Sequence, residues 1–298
     1  MFRLMSERGE ITGRCNNISW QSDAEALGAQ ITFDSLYDIP EGAIVSTVFD
    51  GKEDIRAIIF DKTANRHTYS YTALDFAHLL KNEVIKQFNY MPASEAITSL
   101  LSEYGVKCKC TSIPTLITKL YKESLSNIVE DILEQAAADQ GVEYVKEMQA
   151  DSLVIEKLTD RKVRPELLIG ADMPIESSIS ELVNRVVVVS GGEGNAAVQA
   201  VAENAASIAR YGLRQTLYSV DDKDVAQAGN IAKNLLAQGC LVKHRATVPA
   251  LALSGGQTVK ANRLIFLRAG RLNGWYRIKS ASHSLAEGKH TISMEVEW

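Results

Sequence analysis

Apolar and polar residues alternate most sharply at the end of the chain. In Thr291-Ile292-Ser293-Met294-Glu295-Val296-Glu297-Trp298 every second residue is apolar, which puts Ile292, Met294, Val296 and Trp298 on the buried face of a strand. A slip of one residue would expose Trp298 and bury two glutamates, so the register is strongly specified. Residues 275–279 supply the first arm of a hairpin whose turn is Glu287-Gly288-Lys289.

A similar pattern stands near the other end. Arg66-His67-Thr68-Tyr69-Ser70-Tyr71-Thr72-Ala73 aligns with Lys289-His290-Thr291-Ile292-Ser293-Met294-Glu295-Val296. Upstream, Pro40-Glu41-Gly42-Ala43-Ile44-Val45 is matched by Gly255-Gly256-Gln257-Thr258-Val259, a glycine turn before an apolar strand in both places. One small β-module therefore occurs twice. Residues 1–73 hold short β-rich runs at 11–15, 29–33, 44–49 and 55–60, a spacing that suggests a sandwich or barrel.

The period changes at Leu74. Leu74, Ala77, Leu80, Val84 and Phe88 have helical spacing, and Pro92 opens a second helix that carries Ile97, Leu100, Leu101 and Tyr104 to a stop at Gly105. A third helix runs from about Ser124 to Gln140 with Ile128, Val129, Ile132, Leu133 and Ala136 as its stripe. Strand-like runs return at 153–158 and 182–189. A helical stripe of Val198, Val201, Ala205, Ile208 and Ala209 follows, and then a helix capped by Asp221 or Asp222 and ended by Gly239. The expected class is α+β and β-rich, with two related small β-barrel domains. The first module is 1–73, an α+β insertion covers 74–148, the second module combines 149–197 with 242–298, and a helical insertion covers 198–241.

Composition narrows the function. The 298 residues suffice for two or three compact units, and 46% hydrophobic with 23% charged content is ordinary for a globular protein. A net charge of −5 leaves no basic excess for a dedicated nucleic-acid binder. No run approaches eighteen apolar residues, so no membrane span is expected. The start Met1-Phe2-Arg3-Leu4-Met5-Ser6 lacks the apolar core of a signal peptide, and four scattered cysteines fit reduced thiols in a protein made in the cytoplasm.

Two patterns invite a chemical reading. Val186 to Val189 followed by Ser190-Gly191-Gly192-Glu193-Gly194-Asn195-Ala196-Ala197 fits the dinucleotide fingerprint, in which glycines admit a pyrophosphate to a helix N-terminus. That motif needs a βαβ setting, and the only following candidate for a parallel strand, 214–218, carries just two apolar residues. A plain glycine-rich loop fits better, and no cofactor is expected. Cys108, Cys110, Cys240 and His244 have poor spacings for zinc, so no metal is expected. His67, His78, His244, His283 and His290 lie in no metalloprotease or hydrolase motif, and no carboxylate pair stands out, so no catalytic residue is assigned. Arg263, Arg268, Arg271, Arg277 and Lys279 form a mild basic cluster, either a solvated face or a binding rim.

Several segments together resemble a known family. They are Ile208-Ala209-Arg210-Tyr211-Gly212 with Gln215; Val220-Asp221-Asp222; Ala232-Lys233-Asn234-Leu235-Leu236; Tyr71-Thr72-Ala73-Leu74-Asp75; Pro92-Ala93-Ser94-Glu95-Ala96-Ile97; and Gly274-Trp275-Tyr276-Arg277-Ile278 with His283 and His290-Thr291. From about Ile18 to Trp298 the chain resembles the tail hub proteins of PBSX-like phages and phage-tail-like bacteriocins, related to the heads of type VI secretion spikes. The resemblance implies a virion structural protein and not an enzyme: a homotrimeric symmetry adaptor, assembled in the bacterial cytoplasm, between a sixfold tail tube or tube initiator and a threefold central spike. Tape-measure and LysM-type baseplate proteins are further implied neighbours; a membrane and a specific nucleic acid are not. No lysozyme-like or peptidase domain is appended, so wall digestion is expected on another protein. The alternatives are a spike-head component of a secretion system and a dinucleotide-binding enzyme using the Gly191–Gly194 loop. Tyr69, Tyr71, Trp275, Tyr276 and Arg271 are the candidate interface residues.

Overall fold

The computed structural model describes residues 2–170, 172–191 and 197–298. Among these, fourteen strands join into one curled sheet. Its main path runs Glu166–Ile169, Lys243–Ser254, Lys289–Glu297, Leu272–Ala286, Cys15–Asp23, Gln30–Ser35, Tyr69–Asp75, Lys52–Ala64, Ile44–Phe49, Phe2–Ser6, Gly9–Glu10.

The sheet contains the same antiparallel unit twice. In the first copy an opening strand (Gln30–Ser35), a middle strand (Ile44–Phe49), a long strand (Lys52–Ala64) and a closing strand (Tyr69–Asp75) follow in sequence. The closing strand pairs with the opening and long strands, and the long strand also pairs with the middle strand. In the second copy Lys243–Ser254, Arg263–Ala269, Leu272–Ala286 and Lys289–Glu297 repeat each of those pairings. A leading strand precedes each opening strand. Cys15–Asp23 places Gln21 opposite Gln30, and Glu176–Ser178 places Glu176 opposite Arg245.

The likeness extends to an irregularity. In the first copy the ladder passes from Asp61↔Thr72 to Ile59↔Ala73 and skips Phe60; in the second it passes from Ser280↔Glu295 to Ile278↔Val296 and skips Lys279. A bulge bends and twists a strand at a defined point, so both long strands curl at the same place. This register pairs Thr72 with Glu295 and Ala73 with Val296, as the sequence alignment does. The upstream half of that alignment needs correction. Gly42 (φ 84°) donates its N–H to the carbonyl of Ile59 (2.9 Å), and the residue that does this to Ile278 is Asn262 (φ 61°, 3.0 Å), not the glycine pair 255–256. Asparagine tolerates the left-handed region nearly as glycine does, which hides the match from a search for glycine.

Each copy has its own core. Phe33, Tyr71, Ala73, Ile59 and Val45 belong to the first; Val248, Met294, Val296, Ile278 and Ile265 belong to the second. The chain end departs from expectation. Ile292, Met294 and Val296 are buried, but Trp298, although its backbone still pairs with that of His244 (3.0 and 3.1 Å), is 40% exposed at the end of the ladder and lies against His244 and Tyr276.

The first insertion wraps helices α1 (Ala93–Glu103) and α2 (Leu125–Gln140) around a core of Ile97, Leu100, Leu101, Ile128, Val129 and Ile132. Ser124 caps α2 by accepting from the N–H of Asn127, and Gly141 ends it at φ 66°. Two expectations fail here. Residues 74–88 are not one helix. Asp75 ends the closing strand and caps a 3-10 helix, Phe76–Lys81, by accepting from the N–H of Ala77. Val84 then lies on a strand, Glu83–Gln87, paired with Leu120–Ser124, so ladder bonds override the helical spacing. The strand expected to open the second module, Ser152–Lys157, pairs instead with Lys107–Cys110 and Tyr144–Gln149.

The second insertion is a three-stranded sheet covered by α4 (Ala228–Gly239), with α3 (Ala205–Tyr211) between its outer strands. Val198 and Val201 lie on a strand, Ala197–Glu203, rather than on a helix. A bulge at Gln199 explains the misleading spacing. Val201 opposes Val187 and Val198 opposes Val189, so residues three apart share one strand face. Asn234 on α4 donates to the carbonyls of Ala138 (2.9 Å) and Asp139 (3.0 Å), which docks the two insertions at the end of α2.

Candidate assembly surface

The two copies meet along one seam. The leading strand Cys15–Asp23 pairs with its own opening strand on one edge and with residues 280–285 of the second copy's long strand on the other, from Ser280↔Asp23 to Leu285↔Ile18. Trp20 lies opposite His283, and their rings stack at 4.8 Å and 8°. Phe2 lies parallel to Trp20, and Phe49 meets it edge-on at 5.6 Å.

The His283 Nε2–H donates to the carbonyl of Val259 (2.8 Å), so its Nδ1 accepts from the Nε2–H of His290 (2.9 Å); the tautomers follow from that network. Burial, and then His290, push the His283 pKa down to about 3. His290 is lowered chiefly by burial. Both rings are therefore neutral parts of an aromatic joint. The bulge residue Lys279 reaches across to Glu25 (2.8 Å), and its carbonyl accepts from the N–H of Ala24 (2.8 Å).

A buried ion cluster ties the seam to the first insertion. Arg263 grips Glu147 with two bonds, Nε at 3.0 Å and Nη2 at 2.6 Å, and Arg161 joins the same carboxylate. Lys260 bonds Asp54 of the first copy at 2.7 Å and lies 3.9 Å from Glu147. Burial alone would raise the Glu147 pKa, but Arg263, Lys260 and Arg161 outweigh it and hold the carboxyl below its usual range. Residues from both copies and from the insertion thus share one charge network.

A cleft of about 770 Å³ runs beside the seam, lined in part by Gln30, Asp75, His78, Ser282 and Glu295. Burial raises the Asp75 pKa to about 6, although the amides of Ala29 (2.7 Å) and Ala77 (3.0 Å) donate to it. Gly28 makes room for that carboxylate, since a Cβ there would lie 2.1 Å from Asp75 Oδ1.

The interface candidates from sequence separate into two groups. Tyr71 is 2% and Tyr276 8% exposed, and their hydroxyls are used inside the chain. Tyr71 donates to the carbonyl of Tyr37 and accepts from Ile39, while Tyr276 accepts from Asn273. Core packing removes both from any contact surface. Tyr69 is half-buried under Lys62, Trp275 is half-buried, and Arg271 is exposed. Trp275 meets Phe266 edge-on, with the Arg164 guanidinium over both rings at 4.9 and 4.7 Å. Sequence reasoning missed the seam itself. Trp20 and His283 each sit between polar residues, which signals a strand but not its neighbour.

The other sequence patterns resolve differently. Residues 192–196 of the glycine-rich loop lie outside the described residues. Its flanks, Arg185–Ser190 and Ala197–Glu203, are antiparallel strands, so the loop does not open onto a helix. Gln215–Val220 is parallel to Arg185–Ser190 despite its weak apolar content. Cys108 and Cys110 lie on one strand of the first insertion, and Cys240 follows α4. No group of three His, Cys, Asp or Glu among the described residues is placed to hold a metal. No helix among them is long and apolar enough to cross a membrane.

Comparison with known proteins places this architecture. The chain is 24% identical over 273 residues to the phage-like element PBSX protein XkdQ of Bacillus subtilis, covering 88% of this chain and 83% of that protein. A second B. subtilis protein, the uncharacterised YqbQ, is 24% identical over 274 residues with the same coverage. Among solved structures, a tail protein of Neisseria meningitidis superposes with TM-score 0.71 at 14% identity, over 100% of this chain and 96% of that one. The 43 kDa tail protein of prophage MuSo2 from Shewanella oneidensis gives 0.69 at 14% identity, over 99% and 97%. An Escherichia coli type VI secretion component gives 0.53 at 9% identity, over 99% and 76%. The fold is that of phage tail proteins, and a family model matches residues 18–297: the chain belongs to the YQBQ-like family.

Proposed function

We propose that this chain is a structural hub of a contractile phage tail or tail-like bacteriocin, a homotrimeric adaptor that joins a sixfold tail tube to a threefold spike. The observation that carries the reading is the repeated unit with its shared bulge at Phe60 and Lys279. Three chains with two such units each present six similar modules in a ring, which can match a sixfold tube on one side while keeping threefold symmetry on the other. The seam supports a mechanical role. Its stacked Trp20–His283 pair and the Glu147 cluster fix one module against the other, as an adaptor under load requires. The PBSX relative and the phage tail structures favour a tail; the type VI component favours a secretion-spike head as the second reading.

Immunogold electron microscopy of particles carrying a tagged chain tests the assignment. Label confined to the junction of tube and spike supports it. Label along the tube, or particles that never incorporate the chain, contradicts it.

A further inference from the structure

The basic cluster at 263–279 divides in the fold. Three of its cations bond within the chain: Arg263 to Glu147 (2.6 Å), Arg277 to Glu143 (2.6 Å) and Lys279 to Glu25 (2.8 Å). Arg268 and Arg271 are exposed and join no ion pair among the described residues. They stand at the tip of the hairpin between Arg263–Ala269 and Leu272–Ala286, whose turn is Gly270-Arg271. Arg268 shares a strand face with Phe266, which lies opposite Trp275. Lys162–Val163 runs parallel to Leu264–Ile265 of the same hairpin and adds two exposed cations. Besides the Arg164 guanidinium over both rings, the Lys162 amine lies 5.4 Å from the centre of the Trp275 ring. Neither cation joins an ion pair among the described residues. Four such cations and two aromatic rings make one outward stripe on a chain of net charge −5.

The first copy lacks this stripe. Counting back three residues from Ile59 and Ile278 makes Arg56 the counterpart of Trp275, and the residues opposite them, Ser46 and Phe266, correspond as well. Ser46 is buried. The hairpin tip of the first copy reads Asp50-Gly51-Lys52-Glu53-Asp54, where the second has Gly270-Arg271-Leu272-Asn273. One tip is acidic and the other basic. In a trimer, a surface present in both copies occurs six times and a surface present in one copy occurs three times.

We propose that this stripe of the second copy docks an acidic, extended segment of a threefold partner, which in the hub reading is the central spike. The inference rests on that reading for the trimer and goes beyond it by naming the surface and the chemistry of the segment that meets it.

Like charges gathered on one face repel, and an anionic segment removes that repulsion. The Arg164 guanidinium can keep its plane on the rings and still present its edge to a carboxylate. Trp and Arg are also the side chains that most often anchor an interface. Same-face positions such as 266 and 268 lie about 7 Å apart, which is the spacing of alternate side chains in an extended partner. A nucleic acid fits less well, because the chain as a whole is acidic and four cations neutralise few phosphates.

Carbodiimide cross-linking of intact particles is the test, because the reagent joins a lysine amine to a carboxyl group in direct contact. Particles carry the wild-type chain or the Arg268→Lys/Arg271→Lys variant, which keeps the charge and adds two reporters. The expected result is links from Lys162, and from the lysines introduced at 268 and 271, to Asp or Glu of the spike protein. Links from these positions to the tube protein overturn the proposal and leave the hub reading standing. So does their silence while other lysines of the chain still link to neighbouring proteins. A chain that links to neither tube nor spike overturns both. Arg268→Glu/Arg271→Glu should leave Tm unchanged, since both side chains are exposed, and lower the spike content per particle about tenfold or more. Full spike content in that variant contradicts the proposal. A single-stranded oligonucleotide that binds the wild type at physiological salt, but not this variant, would assign the stripe to nucleic acid instead.

Discussion

The long strands Lys52–Ala64 and Leu272–Ala286 carry the same bulge, yet their surroundings differ. The second is flanked at 280–285 by another strand; among the described residues no strand flanks the first at the equivalent positions. The leading strands differ too. After Asp23 the first copy turns within the short stretch 24–29, while at the matching place after Ser178 the second copy accommodates the whole insertion 179–242. Elements inside the shared ladder are held by hydrogen-bond register, and the copies keep them alike. Elements outside it are free to change, and they set what each copy can contact.

The largest effect expected comes from breaking the core position the copies share. Met294 and Tyr71 are equivalent and buried. Met294→Asp and Tyr71→Asp each place a carboxylate without a partner in a core and should cost several kcal/mol. Loss of cooperative unfolding by near-UV circular dichroism is the expected readout for both; soluble, fully folded variants would refute the register.

Glu147→Gln removes the anion that Arg263, Arg161 and Lys260 share between the first insertion and the second copy, and buried cations without it should cost about 3–5 kcal/mol. Urea unfolding reads the loss. A drop below about 1 kcal/mol would mean that the cluster does not hold the insertion to the second copy.

The copies also contribute opposed acid responses. Asp75 has a folded pKa of about 6 against an ordinary 3.8, so the folded state keeps a proton that the unfolded chain has lost. Its contribution is present below about pH 4 and is lost as pH rises through 6, worth about 3 kcal/mol. His283 behaves oppositely. With a folded pKa of about 3 against 6.5, its contribution is present above pH 6.5 and is lost as pH falls. Asp75→Asn, which mimics the protonated carboxyl, should therefore raise stability near neutral pH and leave acid unfolding little changed, whereas His283→Gln should move acid unfolding to lower pH. Tryptophan fluorescence against pH and urea checks both; a loss of neutral-pH stability in the first or an acid transition at higher pH in the second would contradict the assignment.

The smallest effect tests the backbone match. Gly42→Ala at φ 84° should cost about 1 kcal/mol, whereas Gly42→Asn should cost less, since Asn262 already holds the equivalent place. Equal losses in thermal unfolding would deny the equivalence.

The alternation at 291–297 was legible because one strand face is dry and the other wet. So were α1, α2 and the recurrence of the His-Thr pattern. The seam was not, since strand periodicity reports a face and not the identity of the next strand. Val198 and Val201 misled for a local reason, the bulge at Gln199. Among the interface candidates, Tyr71 and Tyr276 look like Tyr69 and Trp275 in sequence, and their burial and their hydroxyl bonds within the chain separate them.

Electron microscopy of the assembled full-length chain, reconstructed without imposed symmetry, tests the account most directly. It should give a ring of three chains with six similar β-lobes, in which junctions within and between chains alternate and look alike. Lobes that differ between the two halves of the chain, or chains joined through their insertions with strand edges left bare, would contradict it.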